Sequence, residues 1–132
     1  MLIQEQVPAG IELILGVKRD PVFGPVLLFG LGGIYAEALR DVGLALAPLT
    51  LSEARELMES TRGIALLKGA RGRQPADLNA IAQLLVTLGD LAVTGAVAEV
   101  DVNPLIVLDR AHDALRVADA LIVIESPGTI PS

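Results

Sequence analysis

The sequence predicts an α+β fold in which a mainly antiparallel sheet is covered by two helices. Short apolar segments separated by glycine and proline turns make up the first third of the 132 residues, and hairpin-like segments make up the last third. Two segments with apolar residues at helical spacing lie between them. Strands joined by such short turns favour antiparallel pairing.

The predicted strands are short apolar runs that end at glycine or proline. An extended segment opens the chain at residues 2–7, and a turn follows at residues 8–10. Residues 34–41 are ambiguous between helix and strand. The remaining predicted strands cover residues 12–17, 26–29, 43–48, 96–102, 105–108 and 115–124, with Asn103-Pro104 separating the fourth from the fifth.

The first predicted helix begins with a capping box, in which the Thr50 hydroxyl precedes the carboxylate of Glu53 by three residues. Apolar residues then share one helical face as far as about Ser60. The following segment, residues 62–73, contains three glycines and is predicted to be a loop.

The second predicted helix is longer. Pro75 suits a first helical turn. From Leu78 onward apolar residues recur at helical spacing, which predicts an amphipathic helix ending near Gly95.

The composition narrows the class of protein. Hydrophobic residues make up 52% of the chain, but one tyrosine and two phenylalanines are its only aromatic residues, so the core is aliphatic. The net charge of −6 makes nucleic acid and anionic membranes poor partners. The absence of cysteine excludes disulfides and thiolate metal sites. No secretory signal and no membrane-length apolar run is recognisable, so a cytoplasmic protein is expected.

An acidic strand face near the C-terminus is the strongest chemical signal. Glu99, Asp101 and Asn103 are two residues apart, so they point to one face of a strand. A turn near residues 109–113 folds the next strand back and can bring Asp119 beside Asn103. Such carboxylate and amide oxygens suit Mg²⁺ bound to nucleotide phosphates. The alternation of acidic residues alone favours the alternative, a strand with one solvated polar face. Asp119 favours the metal site, because it interrupts an apolar run in which an unpaired carboxylate is costly to bury.

These segments resemble a known family. Asp101-Val102-Asn103-Pro104-Leu105, then a hairpin, then Val117-Ala118-Asp119-Ala120 is similar to the closing hairpin of the ATP-grasp domain in succinyl-CoA synthetases and NDP-forming acetyl-CoA synthetases. The resemblance implies that Asn103 and Asp119 hold the Mg²⁺ of the nucleotide. It also implies that Asp101 is a metal-side or phosphohistidine-side carboxylate, at a position where the family more often has the longer Glu.

The resemblance extends over nearly the whole chain. Further matches, in order, are Gly10-Ile11-Glu12, Gly16-Val17, Arg19-Asp20-Pro21, Phe23-Gly24-Pro25, Phe29-Gly30-Leu31-Gly32-Gly33, Glu37, Asp41 and Leu46-Ala47-Pro48-Leu49. They imply the C-terminal half of the ATP-grasp domain of an ADP-forming acyl-CoA synthetase. The same module occurs in acyl-CoA-synthetase-like protein lysine acetyltransferases, so that context is equally open.

The resemblance also implies nucleotide contacts near the N-terminus. Residues 2–7 resemble the hinge strand beside the adenine, which makes Glu5 a weaker candidate contact and Glu12 the residue at the ribose-contacting spacing. A strand-edge charge is the alternative for Glu12. The basic pair Lys18-Arg19 can serve a phosphate, and Arg19 is the chosen candidate because a guanidinium grips phosphate oxygens with two parallel bonds. A solvated residue paired with Asp20 is its alternative.

The expected organisation is one subdomain over residues 1–125 and a flexible tail over residues 126–132. The implied cofactors are ATP/ADP and Mg²⁺. The implied partners are the N-terminal ATP-grasp subdomain and the CoA-binding and phosphohistidine domains, so the sequence is interpreted as a fragment that is inactive, or nearly so, in isolation. The alternative is a non-catalytic module that binds a partner through an exposed apolar surface, which would also promote homo-oligomers. A hydrolase is disfavoured, because His112 lies in a polar turn without a nucleophile beside it.

Overall fold

The computed structural model describes residues 10–32, 41–110 and 113–124. Within these ranges six strands pair antiparallel in one sheet, and the helices pack on one of its faces. The strands are β1 (Gly10–Asp20), β2 (Gly24–Leu31), β3 (Val42–Leu46), β4 (Glu99–Leu108), β5 (Leu115–Val117) and β6 (Ala120–Val123). The helices are α1 (Leu51–Glu59), α2 (Ile64–Leu67) and α3 (Leu78–Val93), with a 3₁₀ turn at Ala70–Gly72. The predicted α+β fold is confirmed.

The order of strands in the sheet is β3-β2-β1-β4-β5, and β6 also pairs with β4. β5 and β6 therefore follow one another along a single edge of β4. Leu105 is opposite Val117 in the first pairing, and Val102 is opposite Ala120 in the second. The same register continues across the gap between β5 and β6.

The core lies between the helices and one face of the sheet. Alternate residues of β1 and β2 point into it, since residues two apart in a strand share a face. The buried side chains from the strands and the two longer helices include Leu13, Leu15, Val17, Leu27, Phe29, Met58, Ile81 and Leu85. The opposite face of the sheet has no helix over it among the described residues.

The start of α1 matches the predicted capping box. The Thr50 hydroxyl accepts a hydrogen bond from the backbone N–H of Glu53 at 3.1 Å, and the Glu53 carboxylate accepts one from the backbone N–H of Thr50 at 2.9 Å. The helix ends at Glu59 with Ser60 as its C-cap. This prediction is confirmed.

Two predictions about the helical layer were wrong. The segment 62–73 is not a loop throughout, because it contains α2 and the 3₁₀ turn. Burial of Ile64 and Leu67 in the core stabilises this short helix despite the flanking glycines. Pro75 does not lie in a first helical turn: α3 begins three residues later, where the Asp77 carboxylate accepts a hydrogen bond from the backbone N–H of Ala80 at 3.0 Å.

The C-terminal strands also differ from the prediction. β4 continues through Asn103-Pro104 instead of ending there. Leu13 pairs with Leu105 and Leu15 with Val102, so two residues of β4 oppose the single residue Ile14 of β1. This is a β-bulge, and it accommodates a proline that has no N–H to donate. The predicted last strand is interrupted at residues 118–119, between β5 and β6.

Some predicted features lie outside the described residues. They are the hinge strand at 2–7, most of the following turn, residues 34–40 of the ambiguous segment, His112 and the tail at 126–132. Gly10, predicted as part of that turn, is instead the first residue of β1. No helix in the described part of the chain is long and apolar enough to cross a membrane.

Candidate functional site

The candidate site is the face of the sheet that lies opposite the helices, which we call the open face. It contains a cavity of about 470 Å³. Apolar and charged side chains from four strands share its lining, among them Ile14, Lys18, Leu28, Leu44, Glu99 and Asp101. The cavity thus combines an apolar floor with charge at one end, as ligand sites commonly do.

Asp101 lies on this open face beside a residue without a side chain. In the register of β1 and β4, Asp101 is opposite Gly16 and Glu99 is opposite Lys18. A Cβ placed on Gly16 would lie 3.9 Å from Oδ1 of Asp101. The same Cβ would lie 3.0 Å from the carbonyl oxygen of Val100, so glycine lets β1 and β4 approach closely beside this carboxylate. Gly16 and Asp101 both line the cavity.

Asn103 and Asp119 are neighbours across the sheet. The backbone N–H of Asn103 donates a hydrogen bond to the carbonyl oxygen of Asp119 at 3.1 Å. Val102 points to the helix side opposite Leu15, so alternation places Asn103 on the open face with Asp101. Asp119 shares that face, because it precedes Leu121 by two residues and Leu121 is opposite Asp101. Both Asn103 and Asp119 are exposed.

The donor set suits a magnesium ion that is shared with a nucleotide. No group of three or more His, Cys, Asp or Glu side chains able to hold a metal occurs within the described ranges. Mg²⁺ is usually bound by one or two carboxylates, with phosphate oxygens and waters completing its octahedron. The carboxylate of Asp119 and the amide oxygen of Asn103 would supply two ligands of such an octahedron, and phosphate oxygens and waters would have to supply the rest. The assignment of Asn103 and Asp119 as ligands stays a prediction.

Glu12 lies on the open face at the far end of β1 from Lys18. It is opposite Ile106 in β4 and its side chain is exposed. Its backbone carbonyl accepts a hydrogen bond from the N–H of Gly32 at 2.8 Å. Glu5 lies outside the described residues.

The guanidinium of Arg19 contacts the helical layer. Its Nη2 donates a hydrogen bond to the carbonyl oxygen of Ala92, in the last turn of α3, at 2.9 Å. Arg19 follows Val17 by two residues, and Val17 is buried in the core, so both belong to the helix-covered side of β1. Lys18 instead points to the open face. Sequence reasoning chose Arg19 from this pair for a phosphate contact, and that role stays a prediction.

The hairpin between β1 and β2 is held by Asp20. Its Oδ1 accepts hydrogen bonds from the backbone N–H of Val22 at 2.7 Å and of Phe23 at 2.9 Å. The bonds from Phe23 and then Val22 lower the pKa of this carboxyl, because they stabilise its charged form. The Asp20 carboxylate therefore stabilises this turn, which adjoins one end of the cavity.

Comparison with known proteins identifies the fold that this geometry belongs to. Residues 1–124 match the family described as ATP-grasp domain. The chain belongs to the ATP-grasp family. The resemblance predicted from the hairpin and the N-terminal segments is thereby confirmed.

This ATP-grasp chain has curated relatives among acid–CoA ligases. It is 43% identical over 113 residues to acetate–CoA ligase (ADP-forming) I of Archaeoglobus fulgidus, covering 85% of this chain and 16% of the relative. It is 41% identical over 106 residues to the beta subunit of acetate–CoA ligase (ADP-forming) I of Pyrococcus furiosus, covering 80% of this chain and 46% of that subunit. The chain thus spans less than half the length of these two relatives.

A solved structure shows the same ATP-grasp arrangement. The dinucleotide-forming acetyl-coenzyme A synthetase 1 of Ca. Korarchaeum cryptofilum superposes with a TM-score of 0.78 at 39% sequence identity, over 89% of this chain and 55% of that one. That protein was solved in complex with coenzyme A and Mg-AMPPCP, with its phosphohistidine segment pointing towards the nucleotide binding site.

The ATP-grasp chain exposes apolar side chains at both edges of its sheet. On β3 they are Val42, Leu44 and Leu46, and on and after β6 they are Leu121, Ile122, Val123 and Ile124. Leu44 also lines the cavity on the open face. Contiguous exposed apolar surface of this kind commonly marks a contact with another protein or domain.

Proposed function

We propose that this domain is the C-terminal half of the ATP-grasp site of an ADP-forming acyl-CoA synthetase. The overall reaction converts an acid, CoA and ATP into acyl-CoA, ADP and phosphate through a phosphohistidine on another domain. The observation that supports this most directly is the placement of Asn103 opposite Asp119, on the same sheet face as Asp101. The names of the curated relatives support the reaction class.

In this proposal Asn103 and Asp119 supply oxygen ligands to the Mg²⁺ of the bound ATP or ADP. When bound, the ion neutralises charge on the phosphate oxygens during phosphoryl transfer. Asp101, which precedes Asn103 by two residues in β4, orients the metal-bound phosphates or faces the incoming phosphohistidine. Its position beside Gly16 in the lining of the cavity supports a contact with a group that enters the cavity.

Glu12 is proposed to accept hydrogen bonds from the ribose hydroxyls. It lies on the open face four residues before Gly16, a separation of about 14 Å along an antiparallel strand. Ribose and phosphates would therefore occupy successive stretches of one strand. Glu5 is proposed as a contact near the adenine, and only the family resemblance supports this role, because Glu5 lies outside the described residues.

The proposed catalytic role of Arg19 requires its guanidinium to reach a phosphate. The observed hydrogen bond to the carbonyl oxygen of Ala92 holds that group against α3. A phosphate contact by Arg19 would need this bond to break or to be shared. The contact supports a structural role for Arg19 more directly than a catalytic one.

The proposed partners are the N-terminal ATP-grasp subdomain and the CoA-binding and phosphohistidine domains. Two observations support them. One relative is named as a beta subunit, and the structural neighbour was solved with a phosphohistidine segment directed at its nucleotide site. The exposed apolar side chains of β3 and β6 give such partners a surface to cover.

Asn103→Ala and Asp119→Ala test the proposal in the protein as it is naturally encoded, with its other domains or subunits. Each variant should abolish ATP-dependent formation of the CoA thioester while the circular dichroism spectrum and melting temperature stay close to wild type. Asp90→Ala is the control, because Asp90 is an exposed acid on α3, in the other layer. Normal turnover in either of the first two variants would reject the metal-ligand assignment.

A non-catalytic association module is a second candidate, favoured by the same exposed apolar edges. It predicts concentration-dependent self-association with no nucleotide binding. Sedimentation velocity of the full protein with and without Mg-ATP separates the two functions. Nucleotide-dependent behaviour that is lost in Asp119→Ala supports the synthetase.

A further inference from the structure

We propose that Lys18 binds the terminal phosphate of the nucleotide, and that Arg19 is a positioning residue that anchors α3 to β1. The inference rests on the proposed nucleotide site and deepens it. It reverses the choice that the sequence favours between two adjacent basic residues.

The two side chains leave β1 on opposite faces of the sheet. Val17, which precedes Arg19 by two residues, is only 2% exposed and faces the helices. Lys18 shares a strand face with Gly16, two residues before it, and both line the cavity. Arg19 also borders the cavity, but its guanidinium bonds to Ala92 on the helix side. Its partner across the sheet is Glu99, and Gly16 is opposite Asp101. Lys18 is therefore the basic side chain that shares a face with the acidic residues of β4.

The order of groups along β1 places Lys18 at the phosphate end of the site. Glu12, the proposed ribose contact, and Lys18 are six residues apart, or about 20 Å along an antiparallel strand. Asn103 lies opposite Ile14 within the bulge, between these two ends. A terminal phosphate held by a metal at Asn103 lies four residues, or about 13 Å, along β1 from the backbone of Lys18, so the long Lys18 side chain has to extend back over Gly16 to reach it.

The surroundings of Lys18 suit a phosphate. Glu99 is opposite it in register, yet no ion pair joins these two described residues. The ammonium group is a compact point charge on a flexible stem, a common phosphate ligand in proteins. Gly16, the next residue on this face, has no side chain to block a phosphate between Lys18 and Asp101, and all three residues line the cavity.

The contact made by Arg19 explains its presence without a phosphate. The C-terminal end of a helix carries a partial negative charge, so a cation near it is favourable. The carbonyl oxygen of Ala92 also accepts a hydrogen bond from the backbone N–H of Gly95 at 3.2 Å. α3 has no basic residue in its own last turn. The guanidinium of Arg19 supplies that charge through its hydrogen bond to Ala92, and so ties the end of α3 to the end of β1.

Isothermal titration calorimetry of the naturally encoded protein with Mg-AMPPCP and Mg-ADP tests the assignment. Lys18→Met should lower the affinity for Mg-AMPPCP by about 10- to 100-fold, since a charge-assisted contact with the phosphate is lost. Mg-ADP, which lacks the γ-phosphate that is terminal in ATP and AMPPCP, should bind with an affinity within about three-fold of wild type. Lys18→Arg should restore most of the Mg-AMPPCP affinity. Lys68→Met is the matched control, because Lys68 pairs with Glu59 at 2.8 Å in the helical layer.

Arg19→Met separates the two roles. It should lower the melting temperature and leave the ratio of Mg-AMPPCP to Mg-ADP affinities unchanged. A changed ratio in Arg19→Met with an unchanged one in Lys18→Met overturns the assignment. Wild-type binding by Lys18→Met, while Asp119→Ala binds weakly, overturns the Lys18 proposal and leaves the proposed function standing. Failure of wild type to bind either nucleotide overturns both.

Discussion

Asp41 and Gly63 join the start of β3 to the turn that follows α1. Oδ2 of Asp41 accepts a hydrogen bond from the backbone N–H of Gly63 at 2.6 Å, and Oδ1 accepts one from the backbone N–H of Arg62 at 2.7 Å. Asp41 is only 7% exposed. Its backbone carbonyl also accepts a hydrogen bond from the N–H of Leu31, at the end of β2. A single buried carboxylate thus connects the sheet to the helical layer.

Asp41→Ala should lower the free energy of unfolding by about 2–4 kcal/mol, because it leaves two backbone N–H groups without their charged acceptor. Urea denaturation monitored by circular dichroism measures the change. Asp41→Asn keeps an oxygen acceptor and should lose less. Asp90→Ala, at an exposed position, should stay within about 0.5 kcal/mol of wild type. An Asp41→Ala variant as stable as that control would contradict the structural role.

Thr50→Ala should destabilise the protein by about 1 kcal/mol, because the capping hydroxyl of α1 is removed. Thermal unfolding is the measurement. Ser52→Ala is the control, since Ser52 follows Thr50 by two residues, is exposed and is not the N-cap. Equal melting temperatures for the two variants would show that the capping box contributes nothing to stability.

The Asp20 turn predicts a pH dependence of stability. Hydrogen bonds from the backbone N–H groups of Phe23 and Val22 lower the pKa of Asp20 in the folded state below its ordinary value. A depressed folded pKa stabilises the protein above the unfolded pKa, and this contribution is lost as the pH falls through the folded value. Asp20→Ala should therefore be less stable than wild type at neutral pH, and the difference should shrink below the unfolded pKa. Denaturation of both proteins over a pH series measures it, and a constant difference would disprove the linkage.

The hairpin allows a matched test of magnesium dependence. Asp119→Asn keeps an oxygen but removes the charge, so the magnesium concentration needed for nucleotide binding should rise about ten-fold or more. Asp113→Asn is the control, because Asp113 is an exposed acid of the same hairpin whose carboxylate bonds to Arg116 at 3.2 Å. Binding titrations at fixed nucleotide and varied magnesium are the readout. Equal shifts in both variants would indicate a general charge effect instead of ligation.

Local patterns predicted much of the fold and of the candidate site. The Thr50–Glu53 box and the helical spacing after Leu78 are interactions between residues three or four apart, so they are visible without tertiary structure. The shared face of Glu99, Asp101 and Asn103 follows from the two-residue period of a strand in the same way. Local spacing also predicted that Asp119 returns beside Asn103.

Long-range contacts decided the rest. The helix at Ile64–Leu67 exists in a glycine-rich segment because its apolar side chains are buried and Asp41, more than twenty residues earlier, accepts its preceding N–H groups. The continuation of β4 through Pro104 depends on the bulge opposite Ile14, which belongs to a strand from the other end of the chain.

By itself, the sequence determined the α+β class, the two longer helices, the acidic strand face and the membership of the ATP-grasp family. Only the tertiary structure decided which of Lys18 and Arg19 shares a face with Asp101, and where the other one binds. The physical reason is that alternation separates neighbouring side chains but does not say which face the helices cover. Burial of Val17 and the contact of Arg19 with Ala92 settle that choice.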